Sequence, residues 1–173
     1  MDTRNRSMIF KGLVVNIEQM DVGVGSKGWH TFQVLRHPGG VGVLPMHDDG
    51  TITLIRQFRP SVEKKLLEIP AGRKEPGEDP TECGRRELTE ETGLYADSLA
   101  SLGAFYPSPG ILDEIIHLYL ARGLSQGNAA PEFYEEIETV RIPFDEALRM
   151  AENDEIRDSK TIVALLRARR LLP

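Results

Sequence analysis

The chain has 173 residues, of which 40% are hydrophobic and 28% charged, which is typical of one soluble globular domain with a modest extension. Asp and Glu outnumber Lys and Arg by 27 to 21, and the net charge of -6 disfavours binding to a nucleic-acid backbone. The single cysteine, Cys83, excludes an internal disulfide and a thiolate metal cluster. No apolar run approaches the roughly 20 residues that cross a bilayer, so we expect a cytoplasmic protein that binds neither membrane nor nucleic acid.

The first part of the chain is predicted to form strands. Residues 8–18 and 29–36 are rich in β-branched and aromatic side chains. The turn-forming residues that follow at 37–40 predict a boundary. We therefore expect a small N-terminal β extension over residues 1–38 and a main domain over residues 39–173.

The main domain is predicted to alternate strands with helices. The strands are expected at 41–46, 51–58, 66–70, 99–106, 114–121 and 135–142, and two helices are expected to close the chain at 144–153 and 159–170. The turn at Asp48, Asp49 and Gly50 predicts that the first two of these strands pair as a hairpin. The alternation favours an α/β fold, an α/β/α sandwich around a mixed sheet.

A further helix is predicted between Asp79 and Gly93. Asp79 can cap its first turn, Pro80 suits the first helical position, and Glu82 can complete a capping box. Gly93 ends the helix. The cap residues therefore fix both ends of this element.

Glu87, Glu90 and Glu91 project from neighbouring positions of this helix, with Cβ atoms about 5–6 Å apart. Magnesium prefers a few carboxylates together with phosphate oxygens, so the cluster could hold a divalent cation. A solvated polar helix with an i,i+4 pair of Glu82 and Arg86 is the alternative. Charge alone leaves both interpretations open.

The spacing of the surrounding residues is more specific. It reads Gly72-x5-Glu78-x7-Arg86-Glu87-Leu88-x-Glu90-Glu91-x-Gly93-Leu94. This pattern resembles the signature box of the Nudix hydrolases at every specified position. The resemblance implies an α/β/α fold whose loop-helix-loop box binds two or more Mg²⁺ or Mn²⁺ ions, and hydrolysis of a nucleoside diphosphate linked to another group.

The family pattern also implies roles for single residues. Glu87 and Glu91 are expected to be metal ligands with Glu90 beside them, and the carbonyl of Ala71 is expected to be a further ligand. Arg86, paired with Glu78, is expected to hold the loop, and Arg86, Glu90 and Glu91 are candidate catalytic residues.

Two elements outside the box resemble the ADP-ribose pyrophosphatase subgroup. Ser108-Pro109-Gly110 followed by Glu114 resembles its SPGxxxE element, which implies that Gly110 and Glu114 contact the sugar distal to the nucleotide. The alternative is a turn between two strands. In Gln57-Phe58-Arg59-Pro60, the resemblance implies that Arg59 contacts the diphosphate, a task that suits a planar guanidinium; the alternative is a surface arginine.

Three further site assignments follow. Glu68 either serves the ligand or pairs with an arginine, and Trp29 either stacks an adenine ring or packs in the fold. The family often supplies a general base from a later loop, and we expect Glu135, which could also ligate metal. Glu132, Glu136 and Glu90 remain alternatives for the base.

The resulting hypothesis is Mg²⁺-dependent hydrolysis of ADP-ribose to AMP and ribose 5-phosphate, with Mn²⁺ as an alternative ion. A hydrolase of GDP-mannose or another ADP-sugar is the nearest alternative, and a non-catalytic ADP-ribose-binding module is a more distant one. The resemblance also implies a homodimer that exchanges the N-terminal strands.

Overall fold

The computed structural model describes residues 1–129 and 136–171. The chain forms two compact units. One consists of Met1–Gly39 with Tyr106–Ile115, and the other of Gly40–Phe105 with Ile116–Pro173. None of the helices in the described ranges is long and apolar enough to cross a membrane.

The first unit is a three-stranded antiparallel sheet in the order β1-β2-β3. Its strands are β1 (Thr3–Lys11), β2 (Asn16–Gly23) and β3 (Trp29–Arg36). The prediction of one continuous strand over 8–18 is wrong, because the chain reverses where Gly12 N donates to Val15 O at 3.0 Å. The apolar residues run through this reversal, so their pattern gives no sign of the turn.

The second unit contains two sheets and three helices. Its strands are β4 (Gly40–Pro45), β5 (Thr51–Arg59), β6 (Lys64–Glu68), β7 (Ala71–Arg73), β8 (Leu94–Phe105), β9 (Ile116–Gln126) and β10 (Ile137–Pro143). Its helices are α1 (Pro80–Thr92), α2 (Phe144–Glu152) and α3 (Ser159–Ala168). One sheet has the order β7-β4-β9-β8 with β4 parallel to β9, and the other is antiparallel with the order β10-β5-β6.

The predicted hairpin of 41–46 with 51–58 is wrong. β4 and β5 belong to different sheets and share only an isolated bridge between Met46 and Ile52. All six residues of β4 are buried, and its two edges pair with β7 and β9. A strand buried on both faces pairs according to the core around it, which here outweighs the local turn.

Alternate residues of β4 contribute to two separate cores, because successive side chains of a strand point to opposite faces. Val41 and Val43 pack with Cys83 and Leu88 of α1. Leu44 packs in the larger core, to which α2 and α3 contribute. Helices therefore cover both faces of the mixed sheet, which confirms the predicted α/β class.

The caps of α1 match the prediction at both ends. Asp79 accepts hydrogen bonds from the backbone N–H groups of Thr81 at 2.8 Å and Glu82 at 3.4 Å. Gly93 adopts φ 70° and its N–H donates to Thr89 O at 2.8 Å. The Glu82 carboxylate lies 4.0 Å from Arg85 instead of completing the capping box.

Candidate active site

Gly72 and Glu87 are in close contact where β7 passes α1. A Cβ built on Gly72 would lie 2.0 Å from the carboxyl carbon and from Oε1 of Glu87. A side chain at position 72 would therefore force the Glu87 carboxylate to move, whereas glycine lets this carboxylate lie against the backbone. The first glycine of the box thus permits the observed position of one of its glutamates.

Glu91 anchors the last turn of α1 to the start of β7. It is only 4% exposed, and its Oε2 accepts a hydrogen bond from Ala71 N at 2.8 Å. A buried carboxylate needs such partners to stay charged. This bond brings Glu91 and the backbone of Ala71, two of the predicted metal ligands, together.

Arg86 connects three carboxylates. Its Nε and Nη2 donate to Glu78 at 3.0 and 3.2 Å, and its Nη1 donates to Glu87 at 2.7 Å and Glu90 at 3.0 Å. The hydrogen bonds from Arg86 lower the pKa of Glu78 to about 2. Arg86 thus makes the expected pair with Glu78, while Glu82 pairs with Arg85.

Arg59 and Glu68 form a bidentate ion pair. Nε and Nη2 of Arg59 donate to the two oxygens of Glu68 at 2.8 and 2.7 Å. Glu68 is 1% exposed and also accepts a hydrogen bond from Lys160. The alternative that Glu68 pairs with an arginine therefore describes the structure, and Arg59 is more than a surface side chain.

No local feature of the sequence indicated a role for Lys160, which lies 92 residues from Glu68 along the chain. The neighbouring Asp158 could have been recognised as a helix cap, because an aspartate precedes the apolar face of α3. Its carboxylate accepts the N–H of Thr161 at 2.9 Å. The cap does not indicate which strand α3 contacts, because tertiary packing determines that contact.

The family assignment rests on a match over most of the chain. The sequence model of the NUDIX domain matches residues 36–165. The chain belongs to the NUDIX family. The resemblance carried by the box is therefore confirmed.

Two relatives match this NUDIX chain over most of its length. An ADP-ribose pyrophosphatase of Bacillus subtilis is 38% identical over 162 residues, covering 92% of this chain and 88% of the relative. A methanol dehydrogenase activator of Bacillus methanolicus is 39% identical over 165 residues, covering 94% and 89%. A solved structure described as an ADP compounds hydrolase has a TM-score of 0.86 and 22% identity, and covers 99% of this chain and 93% of the other; this likeness supports the fold.

The box of this NUDIX protein has a donor set that fits a hard divalent cation. Within residues 1–129 and 136–171, no three His, Cys, Asp or Glu side chains stand close enough together to hold a metal ion, and Arg86 bridges Glu87 and Glu90. The donors are nonetheless all oxygens, as Mg²⁺ requires. The space left by the missing side chain of Gly72 accommodates one of them, the carboxylate of Glu87.

The first unit carries three of the predicted substrate-binding residues. Glu114 Oε1 lies 3.1 Å from His37 Nδ1, and Gly110 borders open space. Trp29 is 42% exposed, and the guanidinium of Arg4 lies 4.0 Å from its ring centroid. The six-membered ring of Trp29 also lies beside Gly23, where a Cβ would stand 3.6 Å from it.

The later acidic loop is described only in part. Glu132 and Glu135 lie outside the described residues. Glu136 is exposed and its Oε1 lies 3.1 Å from Lys65 Nζ. The general base therefore stays a prediction.

Proposed function

We propose that this NUDIX protein hydrolyses the pyrophosphate bond of ADP-ribose, yielding AMP and ribose 5-phosphate. The observation that carries the proposal is that two carboxylates of the box lie against the same strand, β7. The Glu87 carboxylate contacts Gly72, and the Glu91 carboxylate accepts the backbone N–H of Ala71. The substrate is inferred from the Bacillus subtilis relative, which is named an ADP-ribose pyrophosphatase and matches 92% of the chain.

We propose that Glu87, Glu90, Glu91 and the carbonyl of Ala71 hold two or more Mg²⁺ ions, with Mn²⁺ as a substitute and Glu135 as a further ligand. Oxygen donors of this kind select hard cations. Bound divalent cations neutralise the charge that develops on the phosphoryl oxygens. Arg86 keeps Glu78 and Glu87 in place through its hydrogen bonds.

The remaining roles concern the substrate. Arg59 is proposed to bind the diphosphate through the part of its guanidinium that Glu68 does not use. Glu114 and Gly110 are proposed to contact the distal sugar, and Trp29 the adenine ring. Positioning and charge stabilisation dominate phosphoryl-transfer catalysis, so these contacts would determine which pyrophosphate is cleaved.

Proton removal from the attacking water is assigned to a carboxylate. Glu135 is the proposed general base, and Glu132, Glu136 and Glu90 are the alternatives. A general base must reach within hydrogen-bonding distance of the proton it takes. Single Glu→Gln variants at these four positions would separate them, because the variant of the true base loses the acidic limb of its pH–rate profile, where activity rises as the base gives up its proton.

We also propose that residues 1–38 form a dimerisation element, that residues 39–173 form the hydrolase domain, and that the protein acts in the cytoplasm as a homodimer. Every residue of β1 is exposed in the single chain, and Phe10 is 55% exposed. Apolar side chains gathered on one small sheet favour a second copy as partner. A monomer in gel filtration at micromolar concentration would overturn this assignment.

A substrate panel tests the proposed function. The purified protein is incubated with Mg²⁺ and ADP-ribose, a second ADP-sugar or GDP-mannose, and products are separated by chromatography. We expect release of AMP and ribose 5-phosphate from ADP-ribose at the highest kcat/KM. Faster release of GMP from GDP-mannose would make GDP-mannose the preferred substrate. Calorimetric binding of ADP-ribose without any product would indicate a binding module.

A further inference from the structure

The carboxylate of Glu68 is buried between two cations. Arg59 donates to both of its oxygens, and Lys160 Nζ donates to Oε2, which Arg59 Nη2 also contacts. Burial raises the pKa of Glu68, but the hydrogen bonds from Arg59 and the charge of Lys160 outweigh it and hold the pKa below its ordinary value. Glu68 is therefore a charged bridge between two elements of the fold.

Lys160 is itself held by the first turn of α3. Its Nζ donates to Asp158 Oδ1 at 3.0 Å, and its side chain is 11% exposed. The other oxygen of Asp158 accepts the backbone N–H of Thr161 at 2.9 Å and its hydroxyl at 2.6 Å. Because the cap fixes Asp158, the ammonium group of Lys160 has little freedom to leave Glu68.

A second bond ties α3 to the same strand end. Thr161 Oγ1 accepts the backbone N–H of Ile69 at 2.8 Å. Two consecutive residues, Glu68 and Ile69, are thus bound by α3, and the chain then continues to Ala71, whose N–H donates to Glu91. The position of Glu68 is consequently fixed relative to the box.

The orientation of Arg59 follows from that of Glu68. Its Nε and Nη2 are both committed to the Glu68 carboxylate, and within the described part of the chain its Nη1 makes no hydrogen bond. The side chain is 35% exposed at the end of β5. A planar guanidinium that is hydrogen-bonded along one edge presents its remaining N–H groups in a fixed direction.

Lys160 also completes the charge balance around Glu68. Arg59 and Lys160 supply two positive charges, and Glu68 and Asp158 supply two negative ones. Because these four charges sum to zero, the effect of Lys160 on Arg59 is one of orientation. An anion that approaches Nη1 meets a guanidinium that is held in a fixed direction.

We propose that Lys160 is a positioning residue for the diphosphate site: it holds Glu68, and through Glu68 it orients the Arg59 guanidinium toward the substrate. The identity of the ligand rests on the proposed function, whereas the orientation of Arg59 does not. If Lys160 served stability alone, its loss would lower the free energy of unfolding and leave Arg59 and the KM unchanged.

The test compares Lys160→Met, Lys160→Gln and Lys160→Arg with the wild type. Arg122→Met is the control, because it removes one positive charge from an exposed residue of β9 that has no proposed role in the site. The first readout is the ¹⁵N NMR signal of the Arg59 Nε–H group, assigned by its absence in Arg59→Lys and recorded without substrate. The second is the KM and kcat for ADP-ribose with Mg²⁺.

In Lys160→Met, we expect the Arg59 Nε–H signal to shift or broaden and the KM to rise about tenfold, with kcat within about threefold of the wild type. Lys160→Arg, which keeps the charge, restores the KM to within about threefold, and Arg122→Met changes neither readout. If Lys160→Met does not fold, Lys160→Gln is used instead, because it also removes the charge and shortens the side chain while keeping a polar end at this buried position.

A folded Lys160→Met variant, or its Gln replacement, with the wild-type Arg59 signal and the wild-type KM would overturn the proposal. The proposed function fails separately, if the wild type releases no AMP from ADP-ribose. In that event the Arg59 signal alone still decides whether Lys160 orients the guanidinium.

Discussion

The carboxylate of Glu87 lies against the α-carbon of Gly72, so close that a Cβ at position 72 would stand 2.0 Å from its carboxyl carbon. The two residues belong to β7 and α1, the two elements that form the box. Their contact explains physically why a glycine precedes the acidic helix, and it links the identity of one residue to the position of a proposed metal ligand.

Gly72→Ala should therefore remove the proposed metal site. The new methyl group must displace the Glu87 carboxylate, so we expect kcat/KM for ADP-ribose to fall by about a hundredfold or more. Ser98→Thr is the control, because it adds one methyl group to an exposed residue of β8 that has no proposed role in the site. Activity close to the wild type in Gly72→Ala would show that the position of Glu87 is irrelevant to turnover.

Glu91→Gln should lower turnover without unfolding the protein. The amide oxygen can still accept the hydrogen bond of Ala71 N–H, which Glu91 now accepts at 2.8 Å, but the charge is lost. We expect kcat to fall by more than about tenfold, with an unchanged circular dichroism spectrum. Glu146→Gln on the exposed face of α2 is the control, and full activity in Glu91→Gln would remove Glu91 from the metal site.

Thr161→Val should destabilise the fold. The hydroxyl of Thr161 accepts the N–H of the fully buried Ile69 and donates to Asp158. Valine has the same shape but leaves a buried N–H group without a partner, at a cost of about 1–3 kcal/mol in the free energy of unfolding. Urea denaturation measures the loss, and Thr139→Val on exposed β10 should show little of it.

The ion pair of Glu78 and Arg86 predicts a pH dependence of stability. Hydrogen bonds from Arg86 lower the pKa of Glu78 from its ordinary 4.5 to about 2. The folded state then keeps this carboxylate charged where the unfolded chain takes up a proton. Its contribution to stability is therefore fully present above about pH 5 and is lost as the pH falls toward about 2.

We accordingly expect the wild type to lose more free energy of unfolding between about pH 5 and about pH 3 than Glu78→Gln, which is already weakened at neutral pH. Urea denaturation of both proteins at the two pH values checks this. Equal losses in the two proteins would mean that Glu78 does not contribute to the acid sensitivity.

The box was predictable because its determinants are local. The cap at Asp79 and the stop at Gly93 follow from a few adjacent residues, and the pair of Arg86 with Glu78 was implied by the resemblance of the box to the Nudix signature. Capping and left-handed turns depend on a few adjacent residues. The predicted start of the last helix at residue 159 also agrees with α3, although its cap residue Asp158 was not used to predict it.

Long-range partners were not predictable in this way. Lys160 meets Glu68 across 92 positions, and β4 pairs with β7 and β9 in preference to its chain neighbour β5. These contacts depend on which apolar faces pack together in the folded protein. A single sequence shows which faces are apolar but not how they pair. The chain reversal near Gly12 was not predicted either, because its turn lies inside an apolar run.

Manganese binding tests the central claim most directly. Crystals soaked in Mn²⁺ would be measured at a wavelength where manganese scatters anomalously, with Glu87→Gln crystals as the comparison. We predict anomalous peaks beside Glu87 and Glu91 in the wild type and their loss or weakening in the variant. Wild-type crystals without a peak at these carboxylates would contradict the assignment of the box as a divalent-metal site.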